Sequence, residues 1–298
     1  MVEKKRTVLK RLMLWGLVVG YTLALPEVIT AYNAIIAHTS VELAGRIPLL
    51  LLIIVGMVYM TWVVIKQRKP KKILVLLPCA VIVATIFILI PDPNKHIHIP
   101  EYILMTWLLF AVLSIDYQGK GLYLLILVCA ILLGIVDEIL QGIHPERFYG
   151  WQDMVVNAFA SIIGVLTIAG IIGLSNGRWH WVDHLRRLRS YLWLLVPGLM
   201  GMAITLVLLY SHRSKEGLYG VYPKWMLVWH CLFIGSALLL WLGNRMVIRI
   251  RGTIESAGGQ PPVSDELTAR LWVLAPLIIL VCMHMLVVLA VGSGVPFV

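Results

Sequence analysis

Between Asp92 and Gly164 the chain gathers residues that suit acid–base chemistry and anion binding. "DPNKHIHIPEY" supplies Lys95, His96, His98 and Tyr102. "DEILQGIHPERFYGWQDMVVNAFASIIG" supplies Asp137, Glu138, Gln141, His144, Glu146, Arg147, Asp153 and Asn157. Glu138, Asp153 and His98 are the candidate catalytic groups: two carboxylates flank a spot that an imidazole could serve with a proton near neutral pH. Lys95 and Arg147 are the candidate anion holders, for a lipid phosphate or a peptide carboxylate, with Arg147 offering a bidentate fork. Tyr102, Gln141 and Asn157 complete the candidate binding face. His96, His98, Glu138, His144 and Asp153 are also zinc or iron ligand types. Yet a His-x-His with distant partners is a weak spacing, and Lys95 and Arg147 would repel a cation. No metal or cofactor is therefore assigned.

These residues need helices to position them. Glu138 and Gln141 are three apart and share a helix face. Asp153, Asn157, Ser161 and Gly164, at about 100° per residue, fall within an arc of about 80°. His98, Tyr102 and Thr106 make a similar stripe, and Pro100 fits it if that helix begins near His98. An ionised group left in hydrocarbon costs several kcal/mol, so such residues are expected to face a cavity or another helix. The plain alternative is a set of ion pairs clipping helix ends together. That account weakens as more titratable groups converge.

The surrounding sequence shows why hydrocarbon is the reference medium. The chain has 298 residues, 60% hydrophobic and 13% charged, with a mean hydropathy of +0.90. Nine stretches reach the roughly 20 residues that cross a bilayer: 12–31, 47–66, 73–91, 99–115, 121–141, 153–173, 191–211, 225–245 and 271–291. A spanning backbone must satisfy its own hydrogen bonds, so the fold class expected is all-α, a polytopic helical bundle. With a cytoplasmic N-terminus, 19 of the 25 Lys and Arg fall in inside loops and 6 outside. That asymmetry orients the chain and leaves the C-terminus extracytoplasmic. It also explains the net charge of +10 without nucleic acid, for which no accompanying fold signal exists. The basic head and apolar run at the N-terminus read as a retained anchor, since no small-x-small cleavage site follows. Cys79, Cys129, Cys231 and Cys282 all fall within spans without metal-like spacing and are read as buried free thiols. His230 and His284, in the last two spans, could ligate a haem, but the favoured expectation is hydrogen bonding to a neighbouring helix.

Three blocks organise the chain: two N-terminal spans (1–72), a four-helix core (73–175), and an interfacial amphipathic segment with three C-terminal spans (176–298). The amphipathic stretch is "RWHWVDHLRRLR". A Gly/Pro-rich connection, "ESAGGQPPVSDE", is expected to be a flexible loop. By this topology the connections carrying Lys95, His98, His144 and Arg147 are extracytoplasmic.

The two polar stretches together resemble the VanZ family, membrane proteins linked to low-level teicoplanin resistance. The matching positions are Lys95, His98, Tyr102, Glu138, Gln141, Arg147, Asp153, Asn157 and Gly164, over about residues 73–175. Asn94 stands where the family usually has Asp, and Ser161 where it usually has Gly. The resemblance implies a cell-envelope protein of the bacterial inner membrane that binds or modifies an anionic lipid-linked or peptidoglycan-type molecule. It supplies no established reaction, and no nucleophile elbow or phosphate-cradling glycine loop is present. Two other readings stay open: a proton-coupled carrier, and a non-catalytic subunit that docks a membrane-protein partner. Membrane lipids are expected partners in every case.

Overall fold

In the computed structural model the described residues are 2–38, 41–117, 121–144, 147–173, 181–211, 214–217, 222–254 and 264–297. The fold is all-α. Among the described residues nine helical segments are long and apolar enough to cross a membrane: 7–28, 46–66, 71–89, 93–113, 122–143, 151–172, 189–211, 224–244 and 266–292. Each lies within a few residues of the stretch expected from hydropathy, because a bilayer-length apolar run leaves the backbone no other partner than itself.

The helices are α1 (Val2–His38), α2 (Val41–Thr61), α3 (Leu76–Leu89), α4 (Pro93–His96), α5 (His98–Leu113), α6 (Leu122–Ile143) and α7 (Trp151–Ile172). They continue with α8 (Trp181–Leu185), α9 (Arg189–Ser211), α10 (Lys224–Ile254) and α11 (Ser264–Gly292). Strands β1 (Ser214–Gly217) and β2 (Pro296–Phe297) form one short antiparallel pair that hydropathy did not signal. α1 runs unbroken through Pro26 and Glu27. Around this point, Thr22 Oγ1 donates to the Val18 carbonyl at 3.0 Å and Thr30 Oγ1 to that of Pro26 at 3.5 Å. In the amphipathic segment, 174–180 lie outside the described residues. The remainder is α8, a 3₁₀ turn at Arg186–Leu188, and the start of α9. Residues 255–263 of the Gly/Pro-rich loop also lie outside them.

The chain divides into two compact units. The first holds residues 1–115, 121–141 and 150–176, and the second 116–120, 142–149 and 177–298. In the first, α5 and α7 pack along each other and are flanked by α1, α2 and α3. The two approach tightly at Gly164, where a Cβ would lie 2.6 Å from Thr106 Cβ, so only glycine fits. α6 joins them at Gly134, where a Cβ would lie 3.2 Å from Asn157 Cβ and 3.3 Å from the Tyr102 ring. Away from the polar end, the Lys72 ammonium caps α7 by donating to the Ile171 carbonyl, and donates to Gln67 Oε1 at 2.7 Å.

In the second unit α9, α10 and α11 pack in pairs, and α8 lies on α11. The Trp181 ring stacks on Trp272, whose indole N–H donates to Tyr117 Oη at 2.8 Å. Burial pushes the Tyr117 hydroxyl up to about 12, an effect the Trp272 bond partly opposes. Phe297 of β2 rests on Tyr149 and against the bare backbone of Gly142. All four cysteines are free; Cys79 and Cys129 are buried, whereas Cys231 and Cys282 are exposed on helix faces, contrary to the sequence expectation. In a spanning helix an outward face meets lipid, which a small apolar thiol tolerates as well as a core.

Candidate functional site

At one end of the first unit, α5 and α7 begin and α6 ends. This geometry follows from local sequence. Asp92 caps α4 by accepting from the Asn94 amide at 3.0 Å, with Pro93 at the first helical position. The chain then turns directly into α5 at His98, as Pro100 required. α7 starts after Gly150, whose extended backbone carries no side-chain cap. The cap comes from another helix: the Gly150 amide donates to Glu138 Oε2 at 3.2 Å. A Cβ at Gly150 would sit 2.6 Å from Asp153 Oδ2, so a larger residue here would displace that carboxylate. Two helix N-termini thus point their partial positive charge toward a place rich in carboxylates.

The side chains form one connected set. Tyr102 Oη and Gln141 Nε2 each donate to Asp137 Oδ2 at 3.0 Å. Gln141 Nε2 and Asn157 Nδ2 both reach Glu138 Oε1 at 3.4 Å. Lys95 Nζ meets Asp153 Oδ1 at 2.8 Å, with 20% of the lysine side chain exposed. His98 Nδ1 lies 3.0 Å from Glu101 Oε2, an ion-pair distance without hydrogen-bond geometry. Ser161 and Thr106 turn their hydroxyls back to the carbonyls of Asn157 and Tyr102, at 2.7 Å each, and so support the backbone beneath.

Of the sequence candidates, Lys95, His98, Tyr102, Glu138, Gln141, Asp153 and Asn157 come together here. His96 does not: its Nε2 pairs with the Ile90 carbonyl at 2.7 Å and its ring stacks on Phe87 at 3.8 Å. His144 and Arg147 belong to the second unit, where the Arg147 amide donates to the His144 carbonyl at 3.1 Å. Glu146 lies outside the described residues. Sequence reasoning missed Glu101 and the Gly150 amide. Glu101 was within reach, since it stands three residues after His98 and therefore on its face. Gly150 carried no signal, because a backbone donor has no residue type.

Two features define the site's chemistry. The first is charge. Glu101, Asp137, Glu138 and Asp153 are each buried, and among the described residues of the site only Lys95 and His98 oppose them. Four acids against two bases leave two negative charges uncompensated even with His98 protonated. Such an excess in a low-dielectric interior is relieved by bound protons or by a cation. The second is satisfaction. Both Glu101 carboxylate oxygens, Asp137 Oδ1 and Asn157 Oδ1 are buried without a hydrogen-bond partner. Buried polar atoms are nearly always paired, so a cluster of exceptions marks a place with a further ligand or chemistry.

Beside this end, α2, α3, α5 and α7 enclose an almost wholly apolar cleft of about 790 Å³. It runs from Leu49 and Phe87 to Trp62, Leu76 and Ile171. On α2 its lining from Leu49 to Tyr59 covers about 15 Å of helix at 1.5 Å per residue. Phe87 is the ring stacked on His96, the neighbour of Lys95. Compared with family models, curated proteins and solved structures, the chain matches none.

Proposed function

We propose that this polytopic membrane protein binds, and through Glu138, Asp153 and His98 modifies, the anionic head of a lipid-linked envelope molecule, in the manner suggested by its VanZ-like motifs. The observation that carries the reading is the Lys95–Asp153 pair at the partly open edge of an otherwise buried set of acids. Lys95 is the group that an arriving phosphate or carboxylate would take from Asp153. Asp153, so released, and Glu138, held by Gly150, Gln141 and Asn157, are then placed for proton transfer. The apolar cleft beside Phe87 supports a substrate with a long hydrocarbon chain, which would stay in its own medium while the head reaches the polar end. The VanZ-like motifs favour a bacterial inner-membrane protein, and the loop charges favour this end being extracytoplasmic.

Native mass spectrometry tests the reading on protein in mild detergent supplied with an anionic phospholipid such as phosphatidylglycerol. Wild type is expected to retain the lipid and Lys95→Met to lose most of it. Arg147→Ala, the second candidate cation of the sequence motif, is run beside it. Equal retention by a folded Lys95→Met variant would overturn the role of this site in anion binding.

A further inference from the structure

We infer that His98, Glu138 and Asp153 form a binding site for a divalent transition-metal ion of the manganese or zinc type. Each offers one ligand atom, and the three atoms lie within 4.8 Å of one another. All three residues are buried, at 2%, 0% and 7% exposure. An ion at about 2.0–2.2 Å from each ligand needs them roughly 3–3.5 Å apart, so a pair at the 4.8 Å limit has to close by about an ångström. One imidazole and two carboxylates suit manganese or zinc better than magnesium or calcium, which prefer all-oxygen sets.

The surroundings are those of a metal site's outer partners. With His98 Nδ1 3.0 Å from Glu101 Oε2, Nε2 is the nitrogen left for an ion, and a small turn of the ring as the site closes would let Nδ1–H donate to that carboxylate, the arrangement that orients a ligating histidine and raises its basicity. Glu138 is held by the Gly150 amide, Gln141 and Asn157, and Gln141 in turn by Asp137. An independent sign is the set of buried oxygens without hydrogen bonds on the adjoining residues, Asp137 Oδ1 and Asn157 Oδ1. The charge excess points the same way: a ligating His98 is neutral, so Lys95 alone opposes the four acids, and a divalent ion offsets two of the three negative charges left over. Lys95 competes for Asp153 Oδ1 at 2.8 Å, but its side chain reaches the edge of the site and can swing outward.

The ion would also resolve a difficulty in the anionic-ligand reading. A pocket with four buried acids repels a phosphate; the same pocket with a bound cation and a freed ammonium attracts one. With an ion bound, Glu138 and Asp153 serve as its ligands and no longer carry protons, so the metal inference replaces that part of the reading and does not depend on it.

The experiment is metal binding to full-length protein, stripped with chelator and titrated separately with manganese and zinc, with stoichiometry read by elemental analysis. Wild type is expected to hold one ion per chain. Asp153→Asn and Glu138→Gln, which keep shape, are expected to lose roughly 100-fold or more in affinity, and Glu101→Gln about 10-fold, as outer partners do. Lys95→Met removes the competing charge and is expected to bind about 10-fold more tightly, so it tests the site even where a ligand variant fails to fold. The inference is overturned if stripped wild type binds neither ion at millimolar concentration, if the Asp153→Asn/Glu138→Gln double variant keeps wild-type affinity, or if Lys95→Met binds no better than wild type. Phosphatidylglycerol retention is measured on the same samples. An ion without lipid keeps this inference and removes the lipid reading; lipid held at full strength by stripped protein that binds no metal does the reverse.

Discussion

Each compact unit buries a histidine among polar groups in its spanning helices, and the two have opposite character. In the second unit His284 Nε2 donates to the Gly198 carbonyl at 3.1 Å, since a carbonyl only accepts. Neutral His284 therefore presents Nδ1 as an acceptor to the Nδ1–H of His230, with which it is in close contact. His230 Nε2 then accepts from Tyr222 Oη at 2.8 Å. Every ring nitrogen has a partner and no charge is needed. In the first unit His98 sits among four carboxyls, one ammonium and several oxygens with no hydrogen bond. A closed, neutral network is what holds helices together in lipid. An open, overcharged one costs stability and persists where something binds or reacts. The contrast separates a strut from a site more sharply than residue type does.

Substitutions can break that contrast. The largest effect is expected from Glu138→Gln: a loss of roughly 100-fold or more in ligand or metal binding, with the thermal midpoint in detergent close to wild type. A collapse in midpoint instead would make Glu138 a strut like His284. Next, His284→Ala strands the His230 donor and opens a cavity, so unfolding in denaturant should become easier by about 2–4 kcal/mol. Binding at the first unit should be untouched. Gly164→Val places a Cβ against Thr106 and is expected to cost about 1–3 kcal/mol, with some loss of binding because α5 and α7 carry the site. The smallest effect belongs to Tyr222→Phe, about 1 kcal/mol for one hydrogen bond.

That last variant also sharpens the comparison through pH. Burial pushes the Tyr222 hydroxyl from 10.0 up to about 12. A raised folded-state value means stability is fully present below pH 10 and is lost as pH rises from 10 towards 12, where the unfolded chain ionises first. Unfolding midpoints across that range should fall for wild type and fall less for Tyr222→Phe. Equal slopes would show that Tyr222 is not held neutral by its setting.

Much of this was legible along the chain. Nine spans, the all-α class and the stripes Asp153–Asn157–Ser161–Gly164 and His98–Tyr102–Thr106 follow from apolar run length and from the helical period, both local properties. The charged motif also announced that its residues avoid lipid. The sequence could not show which histidines share a site. His96 and His98 are two residues apart, yet one is satisfied by the Ile90 carbonyl and the other is surrounded by acids.

What the amino-acid sequence determined by itself is therefore the number of crossings and the faces that hide from lipid, because the bilayer imposes one length and one rule of backbone satisfaction on every span. Tertiary structure alone decided that a bare Gly150 amide holds Glu138, that Glu101 stands behind His98, and that His230 and His284 close on each other. Those relations join helices distant in sequence, and whether a buried polar group is satisfied depends on what another helix brings to it.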